Sequence, residues 1–425
     1  MSEQNLMNIV DIICHSFRHL DSRLINHGER VSYILMKMLA DTNYYTSKEK
    51  QNIFILGLLH DIGAYKEDEI DEILSFDIND KMEHSVFGYL LFQKFSPLSD
   101  YADIILYHHR CNAQYYPVPI SSYHRDIARL IYLADRIDIF CFLKKEENLE
   151  AYLEKHNGSL FSPSDIRWFQ NADKKYHILE HIYSGEYQAE FTEYTQNYIT
   201  LTDSQIHNFL MTFIFSMDFR NEYTAMHTSY AVHLSENLAN TLNLPSTSCR
   251  AIQFAALLHN IGKVSISFKV TNIEDYDRYL KELYQNSTFD ITKSILSNAV
   301  DEKIIKIIDE SFLLLESWIK NKTISFTFTP AAEVVALSYL ISNIWTQDWN
   351  TSYRKSSKLF EFLEEKYRIC QIDDTILLAL EKHFQKIMEK TKASCTYVYN
   401  TYQNMMEENR YLNTILLHYN NKYNL

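Results

Sequence analysis

The side chains able to do chemistry crowd into the first third of the chain: His27, the pair His60-Asp61, His84, the pair His108-His109, and Asp135. Imidazole nitrogens and carboxylate oxygens suit first-row transition ions, and this many without thiolates favours iron or manganese, with zinc or magnesium as alternatives. Seven such ligands exceed one tetrahedral site, so two divalent ions are expected. Asp61 is the candidate to bridge them, because it stands at the end of a strongly apolar run. Water held between two cations loses a proton near neutral pH and becomes a nucleophile, while the cations offset the charge of a phosphate under attack. Asp61 and His60 are therefore the expected catalytic pair, and phosphoester hydrolysis is the reaction implied. No Ser-His-Asp spacing, Gly-x-Ser-x-Gly elbow or glycine-rich phosphate loop offers a competing chemistry. A lone histidine among 17, such as His15 or His124, reads as a surface or satisfied core residue, and order and spacing lift the set above that background.

Rigid elements must hold these residues. Gln51 to Leu59 (QNIFILGLL) is almost wholly apolar, which predicts a helix buried on all sides. It runs into His60-Asp61-Ile62-Gly63, with Gly63 suited to a helix C-terminus. Much later, Ile252 to Leu258 (IQFAALL) runs into His259-Asn260-Ile261-Gly262. His27 heads an amphipathic helix, as does His227; His27 precedes His60 by 33 residues and His227 precedes His259 by 32. Ala128 to Phe140 parallels Ala332 to Trp345, and Leu160 to Phe169 parallels Ile372 to Phe384. Two copies of one helical domain in tandem explain all four pairings.

Composition sets the outer bounds. At 425 residues, two hydrophobic cores are the natural expectation, and 31 Tyr and 24 Phe are ample to fill them. Only 7 Gly and 6 Pro punctuate the chain, too few for strand-and-turn architectures, so the fold class expected is all-α. The net charge of -14, with no stretch rich in Lys and Arg, argues against long nucleic acid or an anionic membrane as partner. A small phosphorylated ligand stays compatible, because a bound metal reverses the local field. The six cysteines form no C-x-x-C spacing and read as reduced thiols. The first residues are too polar for a signal peptide, and no segment offers the roughly 18 apolar residues of a membrane span, so a cytoplasmic location is expected.

The ordered motifs resemble the HD superfamily of metal-dependent phosphohydrolases, and within it the HD-GYP branch of cyclic-dinucleotide phosphodiesterases. That branch carries a His ahead of an R-V helix, then H-D-I-G-K, H-x-x-x-G, H-H-E-x-x-D-G-x-G-Y-P and a V-A-D-x-x-D-A-like helix. Here they stand as His27-Gly28-Glu29-Arg30-Val31, His60-Asp61-Ile62-Gly63-Ala64, His84 to Gly88 (HSVFG), His108 to Pro117 (HHRCNAQYYP) and Leu133 to Asp138 (LADRID). The resemblance implies that His27, His60, Asp61, His84, His108, His109 and Asp135 ligate two metals. The departures bear on the substrate. Ala64 replaces a Lys that contacts the substrate phosphate, Arg110 replaces a Glu, the Gly-Tyr-Pro loop shrinks to Tyr115-Tyr116-Pro117, and Arg23 stands where some members place a third-metal Glu. Arg110, Arg125 and Tyr116 are candidate substrate contacts; the two arginines have the alternative of being solvated surface charges.

The second copy keeps the scaffold and discards the ligands. Its YTAMH (Tyr223 to His227), Gly262-Lys263 and Ser352 to Arg354 look HD-GYP-like, yet Asn260 replaces the bridging Asp, Asp309-Glu310 stand at the His-His position, Tyr339 replaces the last Asp, and no His lies near Gln285. His227 and His259 read as structural remnants. The organisation expected is an HD domain over 1–172, a helical connector over 173–201, a degenerate HD-GYP-like domain over 202–390 and a helical tail over 391–425. That tail either packs back on the second domain or pairs with another subunit in a homodimer. Three functions compete: hydrolysis of a cyclic dinucleotide or other small nucleotide, nucleotide sensing or scaffolding with little turnover, and a metal-free helical platform for dimerisation.

Overall fold

A computed structural model of the chain describes residues 8–20, 26–64, 83–109, 118–143, 148–219, 222–266, 278, 281–282, 286–323, 327–347, 356–370 and 374–423. In chain order the helices are α1 (Ile9–Leu20), α2 (His27–Leu39), α3 (Ser47–Leu59), α4 (Glu83–Phe95), α5 (Ala102–Tyr107), α6 (Ser122–Leu143), α7 (Leu149–Lys155), α8 (Pro163–Tyr176), α9 (Ile178–Ser184), α10 (Tyr187–Tyr198), α11 (Asp203–Asp218), α12 (Glu222–Thr241), α13 (Ser246–Leu258), α14 (Asn286–Leu296), α15 (Glu302–Lys320), α16 (Pro330–Gln347), α17 (Ser356–Cys370) and α18 (Thr375–Tyr423). Among the described residues there is no strand, only an isolated bridge between Asn157 and Phe161. The fold is all-α, as composition predicts. None of the described helices is long and apolar enough to cross a membrane.

Contacts divide the chain into two compact units, one of residues 20–216 with 405–425, the other of residues 1–19 with 217–404. In the first, here the N-terminal unit, α2 packs on α3 and α6, and α5 lies between α4 and α6. The start of α3 is fixed by a capping box, with Thr46 Oγ1 accepting from the Glu49 amide and the Glu49 carboxylate accepting from the Thr46 amide at 2.7 Å. Beyond that first turn Ile53, Phe54, Ile55, Leu56, Leu58 and Leu59 are all buried, each worth roughly 1.5–3 kcal/mol. This accounts for the absence of a polar face in QNIFILGLL.

The span 173–201 does more than connect. Tyr187 of α10 packs its ring 5.7 Å from Tyr33 of α2, Phe191 stacks near Phe54 of α3 at 5.3 Å, and Glu190 forms an ion pair with Lys37. Aromatic and acidic side chains of the expected helical connector therefore pack against α2. The other difference concerns α1, which sequence order assigns to the first domain. Its apolar stripe, Ile9, Ile12 and Ile13, is buried in the C-terminal unit, where the Asn8 amide donates to Ala299 O at 2.7 Å and His15 Nδ1 donates to Ile295 O at 2.9 Å. An amphipathic helix goes to whichever apolar surface matches its stripe, and sequence order does not say which that is. The tail expected from 391 is the continuation of α18. Its Thr391 accepts from Asn237 at 3.1 Å and Cys395 from Ser229 at 3.7 Å, both on α12.

In the C-terminal unit α12, α13, α15 and α16 form the bundle, with Trp318, Tyr230 and Tyr339 fully buried.

Candidate metal centre

Four helix ends and one helix interior deliver the ligands to one place. His27 is the first residue of α2, His60 and Asp61 follow the last residue of α3, His84 is in the first turn of α4, His108 and His109 follow α5, and Asp135 lies inside α6. The turn after α3 tightens because the Ile62 and Ala64 amides donate back to Leu59 O at 3.0 Å and Asp61 O at 2.8 Å. Gly63 is required by space and not by a left-handed backbone: among the described glycines only Gly158 and Gly185 have positive φ. A Cβ at position 63 would lie 2.0 Å from His84 O and 2.7 Å from Gly88 N, so the turn carrying Asp61 sits directly against the helix carrying His84.

The two carboxylate oxygens of Asp61 face different histidines. Oδ1 lies 3.2 Å from His108 Nε2, 3.6 Å from His84 Nε2 and 3.8 Å from His109 Nε2, whereas Oδ2 lies 3.2 Å from His60 Nε2 and 3.6 Å from His27 Nε2. Two groups able to hold a cation result, one of Asp61, His84, His108 and His109, the other of His27, His60 and Asp61, each with ligand atoms within 4.8 Å of one another. Atoms that each stand about 2.1 Å from one ion stand about 3 Å from each other, which these separations approach. Asp135 adds Oδ1 to the second group, 3.3 Å from His27 Nε2 and 3.8 Å from His60 Nε2, and its Oδ2 lies 3.7 Å from His109 Nδ1.

The rings of His27, His60 and His108 are turned so that Nε2 points inward. His60 Nδ1 donates to Gly57 O at 2.8 Å and His108 Nδ1 to Ile105 O at 2.6 Å; a carbonyl only accepts, so Nδ1 carries a proton and Nε2 is the nitrogen left to face an ion. His27 Nδ1 donates to Asp138 Oδ2 at 2.7 Å with the same effect. His27 Nε2, His60 Nε2, Asp61 Oδ2 and Asp135 Oδ1 are buried and form no hydrogen bond among the described residues. Buried polar atoms are almost always satisfied, and four orphans converging on one point fit divalent cations.

The electrostatics agree. Burial pulls the His60 imidazole down, but Asp61 and Asp135 outweigh it and lift the ring to about 9. His27 is also pulled down by burial and then raised well above the ordinary imidazole range by Asp135, Asp138 and Asp61. Asp61 and Asp135, which burial alone would push up, are held well below the usual carboxylate range, Asp61 by His60 foremost and Asp135 by Arg136. His109 moves the other way, driven well down by burial and by His108 and His84, so the ring stays neutral with one nitrogen lone pair available. Buried carboxylates that draw protons onto neighbouring imidazoles are asking for positive charge, and a cation supplies it in their place.

All seven ligand positions read from the sequence thus come together. Arg125 does not: it is exposed in the first turn of α6, ten residues before Asp135, about 15 Å by helical rise. Arg110, Tyr116, Arg23, Gln285 and the 352–354 triplet lie outside the described residues. Three functional partners escaped the sequence reading: Arg136, whose Nε and Nη2 donate to Asp135 Oδ2 at 3.0 and 2.8 Å, and the buried pair Arg30–Asp138. The signal was there in the spacing, since Asp135 and Asp138 are i, i+3 on one helix, as are His27 and Arg30.

The C-terminal unit shows what the same kind of junction looks like without ligands. A Cβ at Gly262 would lie 2.2 Å from Thr288 O, the approach that Gly63 makes to His84. The His259 ring is stacked between Phe312 and Tyr339, both at 4.2 Å, and its Nδ1 lies 2.8 Å from Asn260 Oδ1. His227 Nε2 lies 2.6 Å from Asn343 Oδ1. Burial drives both imidazoles down to about 3. Lys263 Nζ is buried and donates to Asp218 at 2.7 Å and Thr228 at 3.2 Å within this unit. The metal-capable groups among the described residues both lie in the N-terminal unit.

Residues 24–139, which carry all seven of these side chains, match the family described as HD domain. Over 257 residues the chain is 29% identical to the 3'3'-cGAMP-specific phosphodiesterase 1 of Vibrio cholerae, a match covering 56% of this chain and 59% of that protein's length. A solved structure titled as a cyclic GMP-AMP-specific phosphodiesterase of Vibrio cholerae superimposes with a TM-score of 0.51 at 16% identity, covering 89% of this chain and 98% of the other. At that identity the likeness concerns the fold. The chain is thus similar, over part of its length, to the HD domain family and to a curated phosphodiesterase.

Proposed function

We propose that the chain is a metal-dependent phosphodiesterase that hydrolyses a cyclic dinucleotide, or another small nucleotide, at a binuclear centre in its N-terminal unit. The observation that carries this reading is the division of Asp61 between two histidine groups, one for each carboxylate oxygen. His27, His60, Asp61 and Asp135 would hold one ion, and Asp61, His84, His108 and His109 the other. Two divalent ions, when bound, supply charge neutralisation at the phosphate and acidify water near neutral pH. The protein's own part is to hold the imidazoles as Nε2 lone-pair donors and keep Asp61 and Asp135 ionised. Arg136 neutralises the second carboxylate without occupying Oδ1. Similarity to a 3'3'-cGAMP-specific enzyme supports a cyclic dinucleotide as substrate class, and the departures at Ala64 and Arg110 bear on which one. The C-terminal unit is then a degenerate HD-GYP-like copy, a reading supported by the shared approach of Gly63 and Gly262 to the following helix.

The test is elemental analysis of protein purified with manganese or iron supplied anaerobically, followed by turnover on a panel of cyclic dinucleotides and nucleotides. Two ions per chain with hydrolysis of a cyclic dinucleotide is the expected result; metal-free protein overturns the reading. One observation favours a second reading, nucleotide sensing with little turnover: Ala64, where the HD-GYP branch presents a lysine, is 1% exposed and brings no cation toward a phosphate. Tight binding of a cyclic dinucleotide by the metal-loaded protein without product would select it.

A further inference from the structure

His60 and His108 are held by the carbonyl three residues behind them, a device open to them because each follows a helix. His27 is held differently. It opens α2, after Asn26 in a left-handed conformation with no side-chain cap. Its Nδ1 is instead held by Asp138 Oδ2 at 2.7 Å, from a helix 111 residues further along. Asp138 is in turn gripped by Arg30, Nε to Oδ1 at 2.5 Å and Nη2 to Oδ2 at 2.9 Å. Arg30 lies one turn after His27, and its guanidinium covers the Phe142 ring, one turn after Asp138, at 3.8 Å. The loop His27–Asp138–Arg30 therefore closes between two helices and is buried throughout, and it reaches the other group only through Asp61, which His27 Nε2 approaches at 3.6 Å.

We propose that Asp138, backed by Arg30, is a positioning residue for one ion of the pair. It fixes the His27 ring and leaves the Asp61, His84, His108 and His109 group to stand without it. This inference rests on the binuclear reading above. Outer-shell carboxylates on metal-bound histidines typically contribute 10- to 100-fold in metal affinity, and here the loss should fall on one site.

The experiment loads the full chain with manganese, dialyses it against a weak chelator, and measures ions per chain together with the electron paramagnetic resonance spectrum. Wild type should keep two ions with the broadened signal of a coupled pair. Asp138→Asn should keep one, with the resolved hyperfine pattern of an isolated ion, and bind the other 10- to 100-fold more weakly. The double variant Asp138→Asn with His27→Ala should lose no more than His27→Ala alone, because both act through one ring. Asp138→Asn strands the Arg30 charge, so Asp138→Asn with Arg30→Met, which removes both members and keeps a long apolar side chain against Phe142, provides a second route to the same one-ion result. Metal-free melting of each variant serves as the folding control. Two ions retained at wild-type affinity, or both lost together, overturns the positioning role and leaves the binuclear centre standing. Fewer than two ions in the wild type overturns the binuclear reading itself.

Discussion

Replacing Asp61 by Asn tests the centre at the one residue both histidine groups share. Its two oxygens stand 3.2 Å from His108 and from His60, so the amide withdraws the bridging charge from both groups while keeping the side chain's shape. For the wild type, free manganese at a hundred times the dissociation constant stabilises the folded state by about 2.7 kcal/mol per ion, about 5 kcal/mol for two. In a unit of this size each kcal/mol moves the melting midpoint by roughly 2–4 °C, so the metal-induced rise should be about 10–20 °C. Asp61→Asn should abolish that rise, bring the ion count toward zero and remove turnover, with the metal-free melting point as the baseline. The assay is differential scanning fluorimetry across a manganese titration, paired with elemental analysis. A variant that retains the full metal-induced shift, or two ions, would refute the shared-ligand geometry.

The remaining predictions probe the surroundings. In metal-free protein the His60 ring is raised from 6.5 to about 9 and His27 is raised too, so their stabilisation is complete below about pH 6.5 and lost as pH climbs through the folded values. The N-terminal unit should therefore weaken between about pH 6.5 and 9, by on the order of 3 kcal/mol for His60, in urea titrations with chelator present. His227 and His259 are depressed to about 3, so the C-terminal unit should weaken in the opposite window, as pH falls below 6.5; a flat stability profile there would contradict their burial as neutral rings. Gly63→Ala drives a methyl into His84 O and Gly88 N, both backbone, and should cost about 1–3 kcal/mol together with weakened metal retention. Asn260→Asp should not create a further metal site, because Phe312 and Tyr339 hold the His259 ring on both faces; a third ion by elemental analysis would disprove this.

The chemistry was legible in the chain because metal ligation depends on side-chain type. Five histidines and two aspartates in a fixed order say what can be bound, and the unbroken apolar run before His60 says which helix is buried. Helical apolar patterns with few glycines and prolines likewise point to the all-α class through local interactions alone. What lay beyond reach is set by distance in space. Which oxygen of Asp61 faces which histidine, that Arg30 and Asp138 close behind His27, and that α1 joins the C-terminal unit are all contacts between residues far apart in the chain. Gly63 shows the boundary well. Its place after a helix suggests a left-handed cap, and only the neighbouring helix reveals that the missing side chain makes room for His84.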